Sequence, residues 1–163
     1  MSTRRDFILR VIAAPAASPL LGALPAQGQT QGRVASFDHV ALPMQDAEKM
    51  AVFYRELGFR TESSPQLFTI FFGEQKVHFH MPALWQRQNF TLRGPTARPG
   101  CGDLCFVWDG TSEALKATLN RAGATVIEGP VPRPGGRNGG TATGTSVYVR
   151  DPDGNLLEFM IYP

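Results

Sequence analysis

Four short segments of the chain alternate apolar side chains with side chains that bind metals or transfer protons. They are "FDHVALP", "KVHFHM", "GDLCFVW" and "NLLEFMIY". Successive side chains of a strand point to opposite faces, so each segment is predicted to be a strand with one packed and one functional face. The functional positions hold His39, His78, His80, Asp103 and Glu158. Imidazole nitrogens and carboxylate oxygens are suitable ligands for a divalent first-row metal.

Glu158 lies in the middle of the last apolar run of the chain. An unpaired carboxylate in apolar surroundings is costly, so this residue is expected to have a partner. We expect that partner to be a metal ion.

The elements that position these residues repeat along the chain. From residue 34 onward, a strand, a helix and three further strands are predicted twice, at about 34–82 and 101–163. Helical spacing of apolar residues identifies "DAEKMAVFYRELGF", and "TSEALKATLNRAG" begins at Thr111 or Ser112 and ends at Gly123. The sequence therefore predicts an α+β fold in which two βαβββ modules form a half-open barrel of mixed sheets.

The internal repeat selects a set of metal ligands. If the modules are related by a pseudo-twofold axis, each contributes one ligand from its first strand and one from its last. The first module then supplies His39 and His80, and the second supplies Asp103 and Glu158. Such a set leaves coordination positions open for water or substrate, as a catalytic site requires.

Residues 1–30 are set apart from this domain, which spans 31–163. "STRRDFILR" followed by "VIAAPAASPLLGALPA" is typical of a twin-arginine export signal with its linker, so a periplasmic or secreted protein is predicted. A frayed helix with chance arginines is the alternative. Prolines interrupt the apolar stretch, so no membrane anchor is expected after signal removal.

Charge gives no support for nucleic-acid binding, and the spacing of the cysteines excludes a disulfide between them. Removing residues 1–26 takes away three of the 16 basic residues and one of the 14 acidic residues, which leaves 13 of each. A nearly neutral chain gives no indication of nucleic-acid binding. Cys101 and Cys105 lie four positions apart in a predicted strand, about 13 Å, which is too far for a disulfide. They are predicted to be buried or to line the site.

Several motifs, in order and spacing, resemble one family. They are "FDHVAL", "FYRELGF", "QKVHFHM", "GDLCFVWDG", "EGPVPRPGG" and "SVYVRDPDGNLLE". They resemble the vicinal oxygen chelate superfamily, which includes glyoxalase I, extradiol dioxygenases, fosfomycin-resistance proteins and bleomycin-binding proteins. The resemblance covers residues 34–163 and is closest to the glyoxalase domain-containing protein 5 group.

The resemblance implies roles for individual residues. His39 matches the first-strand histidine of the superfamily and Glu158 its last-strand glutamate, both of which are usual metal ligands. His80 falls where glyoxalase I places a ligand, whereas Asp103 occupies a position where many members have histidine. The preferred site is therefore His39, His80 and Glu158 around Zn, Ni, Co, Mn or Fe, with Asp103 as a weak ligand or as a partner of a ligand. Relatives with one pair of modules commonly form homodimers.

Other polar residues are candidates for substrate contacts. His78 faces the functional side or solvent, and Tyr148 and Arg150 share the functional parity of their strand. Arg133 and Arg137 belong to "PVPRPGGRNGGTATG", which is either a flexible connection or a lid over the substrate. Glu158 and Asp103 are the candidate bases for removing a proton next to a carbonyl group.

Three functions agree with these observations. The first is a metal-dependent lyase or isomerase of glyoxalase type that acts on a small molecule with vicinal oxygens. The second is an extradiol-type dioxygenase. The third is a metal-free protein that binds a drug or a metabolite. The histidines and carboxylates favour the first two, because an apolar binding cleft has no use for them.

Overall fold

The computed structural model of the protein describes residues 32–163. The predicted export signal of residues 1–30 lies outside these residues and stays a prediction. Ser36–Pro163 form a compact unit of their own. Within residues 32–163, the helices are too short or too polar to cross a membrane.

The first module contains one long helix and four strands. In chain order they are β1 (His39–Pro43), α1 (Ala47–Glu56), β2 (Arg60–Ser63), β3 (Leu67–Phe72) and β4 (Gln75–His80). Asp46 begins α1, where its side chain accepts a hydrogen bond from the backbone N–H of Lys49. The strand order is β1-β4-β3-β2, with β1 parallel to β4 and the other pairs antiparallel.

The second module repeats this arrangement after a short helix, α2 (Pro82–Trp85). Its elements are β5 (Asp103–Val107), α3 (Ser112–Arg121), β6 (Glu128–Pro134), α4 (Arg137–Gly140), β7 (Thr143–Arg150) and β8 (Leu156–Ile161). The strand order is β5-β8-β7-β6, and β5 and β8 are the parallel pair. The predicted α+β fold of two βαβββ modules is thus confirmed, and the two mixed sheets are half-open rather than closed into one barrel.

A single hydrophobic core joins the two modules. Each long helix buries one face, and the strands contribute the alternate residues predicted to pack, such as Val77 and Phe79 on β4 and Leu157 and Phe159 on β8. Rings from both modules meet at Phe59 and Phe106, whose centroids lie 5.0 Å apart. The open faces of the two sheets lie opposite these packed faces and carry the candidate site residues.

The glycine-rich segment differs from the prediction of a loop. Its first part, up to Pro134, belongs to β6, and only residues 135–142 connect β6 to β7. Three prolines are tolerated in β6 because it is the last strand of its sheet, where backbone N–H groups are not required on the outer side. Arg133 therefore lies on a strand, whereas Arg137 lies in the connection.

The cysteines also differ in part from the prediction. Both are free, as expected, but both are exposed instead of buried. Cys101 precedes β5, and Cys105 lies on the open face of β5, which is the first strand of its sheet. A strand at the end of a sheet is covered on fewer sides, which explains the exposure of Cys105.

Candidate functional site

The register between β1 and β4 places the histidines of the first module on one open face. His39 pairs with Lys76, Ala41 with His78 and Pro43 with His80. The neighbouring positions on β4, Val77 and Phe79, are buried on the opposite face. The alternation read from the sequence therefore describes the true faces of this sheet.

His39 and His78 form a pair on this face. Their ring centroids lie 5.2 Å apart, with an angle of 70° between the ring planes. Nδ1 of His39 lies 2.6 Å from Oδ1 of Asp38, and Nδ1 of His78 lies 2.8 Å from the hydroxyl oxygen of Thr69. Because Nδ1 is engaged in both rings, Nε2 is the nitrogen that remains available to a ligand.

The surroundings of His78 favour its neutral form. Desolvation lowers the pKa of this imidazole, and the nearby side chains of Lys76 and His39 lower it further. A neutral imidazole is the form that coordinates metals or accepts a proton. The hydrogen bond to His39 lowers the pKa of Asp38, so this carboxylate is ionised beside the ring that it orients.

His80 lies apart from the other two histidines. Its backbone partner on β1 is Pro43, four residues from His39 and about 13 Å along the strand. The side chain is buried, with its ring in an edge-to-face contact with Phe90 at 5.2 Å, and desolvation lowers its pKa. The structure therefore brings His39 together with His78, and the ligand role of His80 stays a prediction.

Glu158 is the centre of the open face of the second module. On β8 it lies between Cys105 of β5 and Tyr148 of β7. Its carboxylate accepts a hydrogen bond from the hydroxyl of Ser146, which lies two residues before Tyr148 and is fully buried. Desolvation and the adjacent carboxylate raise the pKa of the Cys105 thiol to about 12, so the thiol stays protonated at neutral pH.

The predicted substrate-contact residues of this module fall into two groups. The guanidinium of Arg133 lies 5.8 Å from the ring centroid of Tyr148 and 2.6 Å from Oε1 of Glu128. A hydrogen bond with Tyr148 raises the pKa of Arg133. Arg133 and Tyr148 therefore lie together beside Glu158. Arg150 instead donates a 2.8 Å hydrogen bond to the carbonyl of Gly154 in the turn before β8.

Asp103 lies at the exposed beginning of β5. Its backbone partner is Leu156, so it is one step along the open face from the pair formed by Cys105 and Glu158. The position allows a role near Glu158, and the proposed role as weak ligand or base stays a prediction.

The donor atoms of the site are of the types that bind divalent metals, but too few of them lie together within one chain. Two imidazoles lie on the first module and a carboxylate on the second, which are ligand types that zinc, nickel, cobalt, manganese and iron accept. However, residues 32–163 contain no group of three His, Cys, Asp or Glu side chains arranged to hold a metal ion. A complete metal site is therefore not formed by the described part of a single chain.

Sequence reasoning missed two hydroxyl groups of the site. Thr69 orients His78, and Ser146 orients Glu158. Ser146 has the same parity as Tyr148, so the alternation of β7 already placed it on the open face. Thr69 could not be found in this way, because its role depends on the pairing of β3 with β4.

Comparisons with known proteins agree with the architecture. Residues 36–159 match the Glyoxalase/Bleomycin resistance protein/Dioxygenase superfamily. Virulence protein STM3117 of Salmonella typhimurium is 35% identical over 77% of this chain and 83% of its own length. The glyoxalase domain-containing protein RDO1 of Mycosarcoma maydis is 34% identical over 87% of this chain and 78% of its own length.

A solved structure shows the same arrangement. An integron cassette protein of V. cholerae superposes with a TM-score of 0.69 at 30% identity, covering 82% of this chain and 99% of that one. The matched superfamily model spans both βαβββ modules and all of the candidate residues from His39 to Glu158. The chain belongs to the glyoxalase/bleomycin resistance protein/dioxygenase superfamily.

Proposed function

We propose that the protein is a metal-dependent, glyoxalase-like enzyme of lyase or isomerase type that acts on a small substrate with two vicinal oxygens. The observation that carries this proposal is the pair of partial donor sets on the two open faces. One face holds the imidazoles of His39 and His78, and the other holds the carboxylate of Glu158 with the hydroxyl of Ser146. Each set is oriented by hydrogen bonds, as expected of ligands and bases.

The two sets form one site when two copies of the chain associate. Because a single chain lacks a three-donor group in its described part, we propose a homodimer in which one copy supplies His39 and His78 and the other supplies Glu158. A divalent ion in that position would supply positive charge beside the vicinal oxygens of the substrate. We assign His78 to this set because it adjoins His39, whereas His80 lies further along the strand.

The residues around Glu158 suit proton transfer from carbon. The hydroxyl of Ser146 fixes one carboxylate oxygen, so the other can accept a proton from the carbon next to the carbonyl group. Tyr148 is the strand neighbour of Glu158, and Arg133 lies over its ring, so both can contact substrate oxygens. Asp103 is the second candidate for the base.

Two other activities rest on specific observations. Two imidazoles and one carboxylate are also the donors of non-haem iron oxygenases, so an extradiol-type dioxygenase is the second candidate. A metal-free binding protein is the third candidate, and it is favoured by the lack of a complete ligand group in residues 32–163.

We also propose a group and a location. The motifs "GPVPRPGG" and "SVYVRDPDGNLLE" favour the glyoxalase domain-containing protein 5 group within the superfamily. The paired arginines and the apolar stretch of residues 1–30 support export by a twin-arginine-type signal, and hence a periplasmic or secreted enzyme.

The test combines metal analysis with turnover. Purified protein is assayed for bound metals and for activity on a panel of α-ketoaldehydes and catechols. Zinc, nickel or cobalt with turnover of a ketoaldehyde supports the proposal, whereas iron with ring cleavage of a catechol identifies a dioxygenase. Protein that takes up no metal even when metals are supplied, and that turns over nothing on the panel, would overturn the enzymatic proposal.

A matched pair of variants tests the role of Glu158. Glu158→Gln removes the base and is expected to lower kcat by about 100-fold or more, because general base catalysis is worth that much. Glu113→Gln changes a glutamate in the first turn of α3, outside the site, and is expected to keep activity. Equal activity of the two variants would exclude Glu158 from the chemistry.

A further inference from the structure

A cavity of about 490 Å³ lies between the two modules beside β5. On the first module it is lined by the connection from α1 to β2 and by the hairpin of β3 and β4. On the second module it is lined by β5, Trp108 and Phe159 of β8. Small-molecule sites usually enclose about 300–1,000 Å³ and are lined mainly by apolar and aromatic groups. The size of this cavity therefore suits a ligand of one or two rings.

Aromatic side chains dominate the lining. Phe59, Phe72 and Phe106 form a cluster in which the last ring meets the other two at 5.0 Å, edge to face. Phe71, Trp108 and Phe159 complete the aromatic walls. Edge-to-face and offset contacts are the arrangements that aromatic rings prefer, so a planar ring has several partners here.

The polar groups of the cavity are few and lie at defined positions. Gln75 supplies an amide at the beginning of β4, and Cys105 supplies a thiol on β5. Cys105 is also the strand partner of Glu158 on the neighbouring β8. Glu158 does not itself line the cavity, and Cys105 is the lining residue that is paired with it.

We propose that this cavity binds an aromatic ring of the substrate and thereby places the oxygen-bearing end of that substrate beside Glu158. The inference rests on the proposed function in one respect, which is the role of Glu158. The binding site itself is defined by the cavity and its rings. It predicts that the protein prefers aromatic over aliphatic compounds that carry the same pair of vicinal oxygens.

The test uses two ligands that differ in the ring. The probes are 2,3-dihydroxynaphthalene and cyclohexane-1,2-diol, and binding to the full chain is measured by calorimetry without added metal. We expect the aromatic diol to bind at least about tenfold more tightly. Equal affinities for the two diols would overturn the proposal.

The position of the ligand can be read from the two tryptophans. The chain contains two, Trp85 and Trp108, so the indole N–H groups give two resonances in a nitrogen-15 NMR spectrum. Trp85→Phe and Trp108→Phe assign them. The aromatic diol is expected to shift the resonance of Trp108, which lines the cavity, and to leave that of Trp85. A shift of Trp85 alone would place the ligand elsewhere and overturn the proposal.

A matched pair of surface variants tests the cavity without disturbing the core. Val107 lines the cavity and is 52% exposed, and Val52 on α1 lies outside it and is 54% exposed. Val107→Lys is expected to weaken binding of the aromatic diol by about tenfold or more, whereas Val52→Lys leaves it unchanged. Equal affinity in both variants would show that the ligand does not occupy this cavity.

The outcome is separable from that of the proposed function. Glu158→Gln is expected to lose turnover and to retain binding of the aromatic diol within about twofold, because the rings of the cavity are intact. Binding in the cavity without turnover of any aromatic substrate contradicts the proposed reaction but not the proposed binding site. Turnover that is insensitive to Val107→Lys contradicts substrate binding in the cavity but not the proposed reaction.

Discussion

The hydroxyl of Tyr54 donates a 2.9 Å hydrogen bond to Oδ2 of Asp151, and both side chains are buried. This bond links α1 of the first module to the turn before β8 of the second. The same carboxylate accepts hydrogen bonds from the backbone N–H groups of Asp153 and Asn155 and from the side-chain amide of Asn155. Asp151 is therefore a structural residue that joins the modules.

Removal of the Tyr54 hydroxyl is expected to destabilise the fold. Tyr54→Phe should lower the free energy of unfolding by about 1.5–3 kcal/mol, the usual contribution of a buried hydrogen bond to a charged group. Urea unfolding measures the change. Tyr162→Phe is the control, because the hydroxyl of Tyr162 accepts only a long 3.5 Å bond from Arg137, and its loss should be small.

The effect of Tyr54→Phe should depend on pH. Desolvation raises the pKa of Asp151 above the usual value of 3.8. The stability that this group contributes is therefore fully present below pH 3.8, and it is lost as the pH rises through the higher pKa of the folded state. The Tyr54 hydroxyl favours the ionised form and opposes this fall. The loss in Tyr54→Phe should therefore be larger at about pH 7 than at about pH 3.5, where Asp151 is largely protonated. An equal loss at both pH values would contradict the role of the ionised carboxylate.

A composite site predicts that two inactive variants restore activity together. His39→Ala and Glu158→Gln damage opposite donor sets, so a mixed dimer has one site in which both sets are intact and one site in which both are damaged. With random pairing, half of the dimers are mixed, and about a quarter of the normal activity should return. Co-expression with two affinity tags and purification of mixed dimers provides the measurement. Two variants in the same set, His39→Ala and His78→Ala, should not complement each other.

Metal affinity should distinguish the two histidines of β4. His78→Ala is expected to weaken metal binding by about 10–100-fold or more, since His78 adjoins His39. His80→Ala should leave metal affinity within a few-fold, because its ring is buried against Phe90. Titration with a metal indicator measures both. If His80→Ala alone lost the metal, the original assignment of His80 as the ligand would be correct.

Two glycines with left-handed backbone conformations should respond differently to alanine. At Gly129, with φ of +113°, a Cβ atom would lie 2.5 Å from the carbonyl oxygen of Ser146. At Gly123, with φ of +68°, nothing lies within 4 Å. Gly123→Ala should cost about 1–2 kcal/mol through backbone strain alone. Gly129→Ala should cost clearly more, and similar losses in urea unfolding would contradict the steric argument.

Most of the architecture could be predicted from the sequence because the patterns that indicate it are local. Helical spacing predicted α1 and α3, and strict alternation predicted which side chains of β4 and β8 face the core. The parity of Glu158 and Tyr148 followed from the same alternation. These features depend only on neighbours along the chain, so they can be read without knowledge of the partners.

Non-local pairings could not be read in this way. The choice between His78 and His80 depends on the register of β1 against β4, which brings Ala41 opposite His78 and Pro43 opposite His80. The prolines of β6 suggested a loop because the sequence does not show that this strand is the last in its sheet. The homodimer that we propose to join the two donor sets likewise depends on surfaces of the folded chain, which local sequence patterns do not define.

The prolines of β6 also limit how the protein can assemble. Pro130, Pro132 and Pro134 occupy every second position of the outermost strand, where an incoming strand would need amide hydrogens to anchor it. A further strand therefore cannot be added at that border of the sheet. The opposite border, at β5, contains no proline, so its backbone N–H groups can pair with an added strand. Strand addition to the second sheet is thus limited to its β5 border, so this sheet cannot extend into a fibril through both of its borders.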